Sequence, residues 1–440
     1  MLLGLNNQRV ANYNKNLLLF HLFLLRQSTL SCLAERMGLS LVAVSRIVKD
    51  LVADGYVVLD DSNQDEQCNI LAKTTAKANN LLASNAENTP NQGTISSSNK
   101  ENLGRGRKAG LVRFNHEQTY IICIDLRPHA LHSVLSDLYG TVLQEEKVSS
   151  LRMSTKETVI EDIVAVVESY KKQDLLQNAR VSLAVACHGQ VDCNSGVSLL
   201  MPQASFHEPL YLKYLLEQKL NIEVLVDSDC AMRGLAQKWH LLRQEPKVQD
   251  FCVINLDYGI GSSFLINREI YRGSLFGSGQ IGHTIIDPNG AKCSCGRHGC
   301  LETFATIAVI TKNVKEALQA VDKCPDKLSF DDVIRLYKQG DTLVRSQVNR
   351  SARAIGLAIY NFLNVININH IYLYGKATEL GQEFLDVIRK QVLLNPFDSQ
   401  QQVKGIATFI EVGTLSQSEQ IAGIAYLYGE RITHLLLEDE

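Results

Sequence analysis

Over the first sixty positions, apolar residues recur at the spacing of helices rather than of strands. Residues 17–25, Leu-Leu-Leu-Phe-His-Leu-Phe-Leu-Leu, predict a first, buried helix. Leu30, Leu33, Ala34 and Met37 share one face of a second helix, which Gly38 stops. Ser40 can cap a third helix, Leu41–Ala53, with Leu41, Val44, Ile47, Val48 and Leu51 on its buried face and Ser45, Arg46 and Lys49 on the other. Asp54-Gly55 turns into a strand at 56–59. Helix, helix, short glycine turn, helix and strand are the pattern of a winged helix-turn-helix, in which the third helix enters the DNA major groove.

The periodicity stops at residues 62–103, a stretch rich in Asn, Ser, Thr, Gln and Ala that holds too little apolar area to offset its chain entropy. A disordered wing insertion is expected there. Gly104-Arg105-Gly106-Arg107-Lys108-Ala109-Gly110 follows, then Leu111-Val112-Arg113-Phe114, which suits the second strand of the wing. Arg105 and Arg107 on a glycine backbone suit a narrow, electronegative minor groove, and Ser40, Ser45, Arg46 and Lys49 are the expected contacts from the third helix. A three-helix cap without a nucleic-acid role would show the same apolar spacing.

From residue 120 the pattern changes to alternating strands and helices. Strands are expected at 120–125, 131–137, 140–148 and 181–186, with a helix at 156–171. A second such unit begins with a strand at 251–256 and continues to a long helix at 351–364 and a strand at 371–374. Two α/β lobes with a cleft between them follow. A last helix, 420–437, is apolar at Ile421, Ile424, Ala425, Leu427, Ile432 and Leu435, as a core helix or a partner surface would be.

Composition narrows the class. At 440 residues and 45% hydrophobic the chain is long enough for two or three domains, and a net charge of −3 argues against coating nucleic acid along the whole surface while leaving room for one basic element. The apolar run at 17–25 is too short to span a bilayer and no small-x-small cleavage pattern follows it, so a cytoplasmic protein without membrane insertion is expected. Eleven cysteines are mostly scattered, as reduced core residues would be. The exception is Gly282-His283 followed by Cys293-Ser294-Cys295-Gly296-Arg297-His298-Gly299-Cys300-Leu301-Glu302. Three thiols and one imidazole match the tetrahedral shell that Zn2+ prefers: His283, Cys293, Cys295 and Cys300. A shell filled by four protein ligands leaves no position for an activated water, so the zinc is expected to be structural.

Gln280-x-Gly282-His283-Thr284-x-x-Asp287-Pro288-x-Gly290, running into Cys293-x-Cys295-Gly296-x-x-Gly299-Cys300-Leu301-Glu302, resembles the signature of the ROK family of repressors, open reading frames and sugar kinases. With the helix-turn-helix in front, the likeness is to the repressor branch, the Mlc and NagC type of bacterial sugar-responsive regulators. The resemblance implies a two-lobed, actin-like sugar-kinase fold over 118–440, behind a winged helix-turn-helix domain over 1–115. It also implies a sugar pocket. Asp229 matches the catalytic Asp of the kinases, and His283 and Glu302 match sugar-hydroxyl contacts. Ser228 stands where the kinases have Asn, and Gln280 where they have Glu. Taken alone, Asp229 is equally a helix-capping carboxylate and Glu302 a first-turn acid facing a helix dipole.

The phosphate loops fare worse. The kinases' Asp-x-Gly-Gly-Thr appears as Asp125-Leu126-Arg127-Pro128-His129, and their Gly-Thr-Gly-x-Gly-Gly as Asp257-Tyr258-Gly259-Ile260-Gly261-Ser262. Without the first pair of glycines the backbone cannot close on ATP phosphates, and Pro128 has no N–H to give. The expectation is therefore a non-enzymatic repressor of carbohydrate uptake or metabolism genes, binding an operator as a homodimer or homotetramer. A sugar, a sugar phosphate or a phosphotransferase-system protein would regulate it. The alternative is an ATP-dependent sugar kinase with an N-terminal helical module.

Overall fold

The computed structural model describes residues 7–60, 110–115, 119–127, 130–202, 204–244, 247–392 and 408–434. The expected insertion at 62–103, Arg105, Arg107, Pro128-His129 and residues 435–437 lie outside the described residues. Two compact units divide the chain: Met1–Glu117 with Ile432–Glu440, and Gln118–Arg431. Among the described residues no helix is long and apolar enough to cross a membrane.

In the first unit, α1 (Asn7–Leu25) buries Leu18, Leu19, Leu22 and Phe23. A three-residue strand, β1 (Gln27–Thr29), follows, and Thr29 caps α2 (Leu30–Met37) by accepting from the Cys32 N–H at 3.2 Å. Gly38, left-handed at φ 63°, ends that helix, and Ser40 caps α3 (Leu41–Ala53) by accepting from Ala43 N–H at 3.2 Å. The wing strands β2 (Val57–Asp60) and β3 (Leu111–Phe114) pair antiparallel, Val57 opposite Phe114, and β1 adds to the other edge of β3. This β1 was not expected, since three polar residues carry no strand periodicity. One burial assignment changes as well. Val44, Val48 and Leu51 are buried, whereas Leu41, expected on the same face, is 53% exposed. It precedes Val44 by three residues, and at the first position of the helix no second element covers it.

The second unit holds two sheets of like topology. In the first, β4 (Thr119–Arg127), β5 (Ala130–Asp137) and β6 (Val142–Ser150) form an antiparallel meander. After α4 (Lys156–Lys171) the strand β7 (Arg180–Cys187) pairs parallel with β4. A small hairpin, β8 (Gln190–Asp192) and β9 (Val197–Leu200), and α5 (Leu212–Leu220) lead to β10 (Val224–Ser228), which pairs parallel with β7. Helices α4 and α5 bury their apolar faces on this sheet with Ile163, Tyr170 and Leu216.

Helix α6 (Asp229–Gln244) is buried on nearly all sides and packs against strands of both sheets, which is why its polar Arg233, Gln237 and Lys238 all find partners. The second sheet repeats the plan, with the meander β11 (Phe251–Leu256), β12 (Ile260–Ile266) and β13 (Glu269–Tyr271). The loop 272–301 and helices α7 (Glu302–Ala305), α8 (Ile307–Gln319), α9 (Phe330–Gln339) and α10 (Thr342–Val365) separate it from β14 (His370–Tyr374). After α11 (Gln382–Val392), β15 (Phe409–Val412) completes the sheet, with β14 and β15 parallel to β11.

The expected last helix is not continuous. It breaks into α12 (Gln417–Ala422), a 3-10 turn at Gly423–Ala425, and α13 (Tyr426–His434). At the break Gly423 lies so close to α6 that a Cβ there would come within 2.4 Å of the Met232 carbonyl oxygen. Ile421, Ile424 and Ala425 are fully buried, so this segment is core.

Candidate functional site

Strand ends place the polar residues of the second unit. Where β7 stops, His188-Gly189 emerges, and where β10 stops, Ser228 and Asp229 begin α6. The first residues of β12, the loop that follows β13 and the start of α7 close the same cleft. Ser228, Asp229, Gln280, His283 and Glu302, the five residues expected at a sugar pocket, all line it. Its lining mixes charged, hydroxyl and amide groups with glycines, the kind of surface that meets a small polar ligand.

Three of these side chains have definite partners. Ser228, not Asp229, is the side-chain cap of α6, its Oγ accepting from the Ala231 N–H at 3.1 Å. Asp229 is thereby left to face its neighbours: Arg233 Nη1 donates to it at 3.1 Å, and His188 Nδ1 stands 3.6 Å from the same Oδ2. Burial alone would raise the Asp229 carboxyl, but His188 and the Arg233 guanidinium overturn that and hold it well below the usual carboxylate range. Glu302 Oε1 accepts from the Ile260 N–H at 2.9 Å, which ties α7 to the first residue of β12. Gln280 is exposed at the rim and its side chain makes no capping bond. His188 was not anticipated. A lone His after a strand carries no sequence signal, and only the fold brings it to Asp229.

The cysteine loop forms the adjoining wall. Cys293 N–H donates to Arg297 O at 2.7 Å and Gly299 N–H to Ala291 O at 2.8 Å, folding the loop back on itself. Gly299 is obligatory at that crossing, because φ is 68° and a Cβ would lie 1.5 Å from the Asp287 carbonyl oxygen. As a result one ligand atom from each of His283, Cys293, Cys295 and Cys300 lies within 4.8 Å of every other. The Cys295 and Cys300 sulfurs are 3.6 Å apart, and Cys293 Sγ is 3.6 Å from His283 Nδ1. A tetrahedron around an ion with thiolate and imidazole ligands has edges of about 3.5–3.8 Å; two of the donor pairs stand at that spacing, and the four donors together could hold a metal ion. His283 belongs to both constellations: Nδ1 faces the thiols, and the residue lines the cleft.

This geometry agrees with what the chain is similar to. Residues 121–430 match the model of the ROK family. The chain belongs to the ROK family. It is 37% identical over 431 residues, 97% of this chain and 98% of the relative, to the uncharacterized protein YphH of Escherichia coli strain K12. It is also 28% identical over 305 residues, 67% of this chain and 75% of the relative, to the xylose repressor of Caldicellulosiruptor bescii. Among solved structures it resembles a ROK family transcriptional regulator described as a homologue of the E. coli MLC protein, with a TM-score of 0.74 and 20% identity over 97% of this chain and 98% of that one.

At the end of β4, the stretch likened above to the kinases' first phosphate loop, two guanidinium groups gather on one carboxylate. Arg127 Nε donates to the buried Asp125 at 2.7 Å, and Arg233 Nη2 approaches the same carboxylate oxygen at 3.6 Å. In the first unit, Arg46 and Lys49 are exposed and Ser45 half-buried on the outward side of α3, where they line one shallow groove. Ser40, also expected to touch DNA, has its Oγ engaged in the cap of α3.

Proposed function

We propose that the chain is a DNA-binding transcriptional repressor of carbohydrate uptake or metabolism genes, whose second unit binds a sugar or sugar phosphate as effector. The observation that carries this reading is the pairing, in one ROK chain, of a three-helix unit with a β-wing whose third helix turns Ser45, Arg46 and Lys49 outward, and a polar cleft lined by Asp229, His283 and Glu302. The relative named xylose repressor supports it from sequence.

In this reading α3 enters the major groove of an operator half-site, Arg105 and Arg107 reach the adjoining minor groove, and a homodimer or homotetramer in the cytoplasm presents two readers to a near-palindromic site. The metal is Zn2+ in a structural role, held by His283, Cys293, Cys295 and Cys300, which fixes His283 and Glu302 as one wall of the cleft. Asp229, Glu302 and the Ser228 and Gln280 side chains offer hydrogen-bond acceptors and donors to ring hydroxyls. Effector binding acts only through differential affinity: the ligand must bind the arrangement that releases DNA more tightly than the one that holds it. Phosphoryl transfer is not part of this reading, because Arg127 and Asp125 occupy each other where the kinases expose backbone N–H groups.

Two measurements test it. Selection from random duplexes with the purified chain is expected to enrich a near-palindromic site, and a thermal-shift screen over free sugars and their 6-phosphates is expected to find a stabilising ligand that also weakens that complex. Failure to enrich any duplex at low salt removes the repressor reading. Robust ATP-dependent turnover of any sugar in a coupled assay would replace it with the kinase.

A further inference from the structure

The outward face of α3 carries two large apolar side chains that folding leaves unused. Val42 is 80% exposed and Leu41 53%. They occupy the first two positions of the helix, and Ser45, Arg46 and Lys49 follow at spacings that bring all five to one side. A single exposed leucine on a protein surface is ordinary. Two adjacent ones that share a groove with two cations are a composite surface, apolar at one end and positive at the other. Among the described residues neither Arg46 nor Lys49 has a carboxylate partner, so the positive end is available to an anion.

A DNA major groove complements both ends at once. Its phosphates pair with cations, and the one methyl group that a base edge presents there is the C5-methyl of thymine. In helix-turn-helix docking the N-terminal residues of the second helix of the motif reach the base edges. On α3 those residues are Leu41 and Val42, while the neighbouring Ser40 side chain is held in the cap. We infer that Val42 and Leu41 are specificity-determining residues that select thymine by apolar contact with its 5-methyl group. This rests on the DNA-binding reading above and adds to it a base and a chemical group.

The test uses the full chain and its selected duplex. Each thymine of the site is replaced in turn by deoxyuridine, which deletes the methyl and leaves every hydrogen-bonding group of the base edge in place. At one or two thymines in each half-site, deoxyuridine is expected to weaken wild-type binding by about fourfold, the size set by withdrawing one methyl group from water. In the Leu41→Ala/Val42→Ala double variant the thymine and deoxyuridine duplexes should bind alike, and an unchanged melting temperature will show that the fold is intact. If deoxyuridine is neutral everywhere, if the half-sites hold no fixed thymine, or if the penalty persists in the double variant, the inference fails while the DNA-binding reading stands. If no duplex is enriched, both fail. If the variant instead dissociates an oligomer in the absence of DNA, the face belongs to a second copy of the chain and the inference is overturned.

Discussion

Strands β4 and β11 hold equivalent places in two sheets of like topology, each the first strand of a meander with a parallel strand on its other side. Their ends have diverged. β4 finishes in Asp125-Leu126-Arg127, where the guanidinium folds back onto the carboxylate. β11 runs into Asp257-Tyr258-Gly259-Ile260-Gly261, where two positions still lack a side chain. The difference shows that a glycine is kept by whatever stands next to it. A Cβ at 261 would lie 2.5 Å from the Cys230 sulfur, and one at 259 would lie 3.0 Å from the His188 ring. The second turn is bare because neighbouring side chains fill the space over it, so its glycines have a packing role whether or not a phosphate is ever bound.

The largest expected effect comes from the loop that adjoins this second turn. Cys300→Ser leaves three donors and uncouples His283 from the cleft wall, at a cost of about 4 kcal/mol, with loss of co-purifying metal. Denaturant unfolding and metal content check both. A stable variant that never contained metal would remove the metal from the account. Next is Gly261→Ala, which drives a methyl into Cys230 and should cost about 2–3 kcal/mol. Cys230→Ala in the same chain should recover most of that loss. If it does not, the glycine is kept for a reason other than packing, and the contrast between the two strand ends fails.

Much of this was legible in the sequence, and unevenly so. The third helix, Leu41–Ala53, follows from its apolar spacing and cap, and the cluster of His283 with three cysteines is visible because its members are near neighbours in the chain. His188 was invisible because its meaning lies in Asp229, forty-one positions later and at the start of a helix. Leu41 was misplaced because periodicity says which face a residue is on but not whether a partner reaches that end of the helix. The capping role that the sequence offered to Asp229 falls to Ser228 for a similar reason: which of two adjacent polar residues caps a helix is decided by backbone geometry that composition does not encode.

The first strand end can be tested directly. Arg127→Gly returns a glycine to β4 and takes from buried Asp125 its 2.7 Å partner, leaving Arg233 at 3.6 Å. The expected outcome is a loss of about 1–2 kcal/mol and no gain of nucleotide binding, because one restored glycine does not rebuild a backbone cradle. Titration calorimetry with ATP reads the second part, and measurable affinity would mean that Arg127 alone had closed the loop.

The smallest effect separates the two strand ends by pH. Burial disfavours a charged His188, but its pairing with Asp229, helped by the charges of Glu302 and Asp125, more than reverses this and raises its pKa above the ordinary value of about 6.5. A group raised on folding contributes stability that is complete below its unfolded value and is lost as pH climbs through the folded one. Asp229 is shifted the other way, so its contribution is present above about pH 4 and is lost only in strong acid. Both are therefore in place near pH 5–6. The stability gap between wild type and His188→Gln should be greatest there, about 1 kcal/mol or less, and should narrow toward pH 9. The Arg127→Gly gap involves a guanidinium that stays charged throughout and should remain flat over the same range. Melting temperatures of the three proteins across pH 5–9 decide it: a His188→Gln gap that widens with pH would mean that the imidazole sits neutral beside Asp229 and that the second turn is held by packing alone.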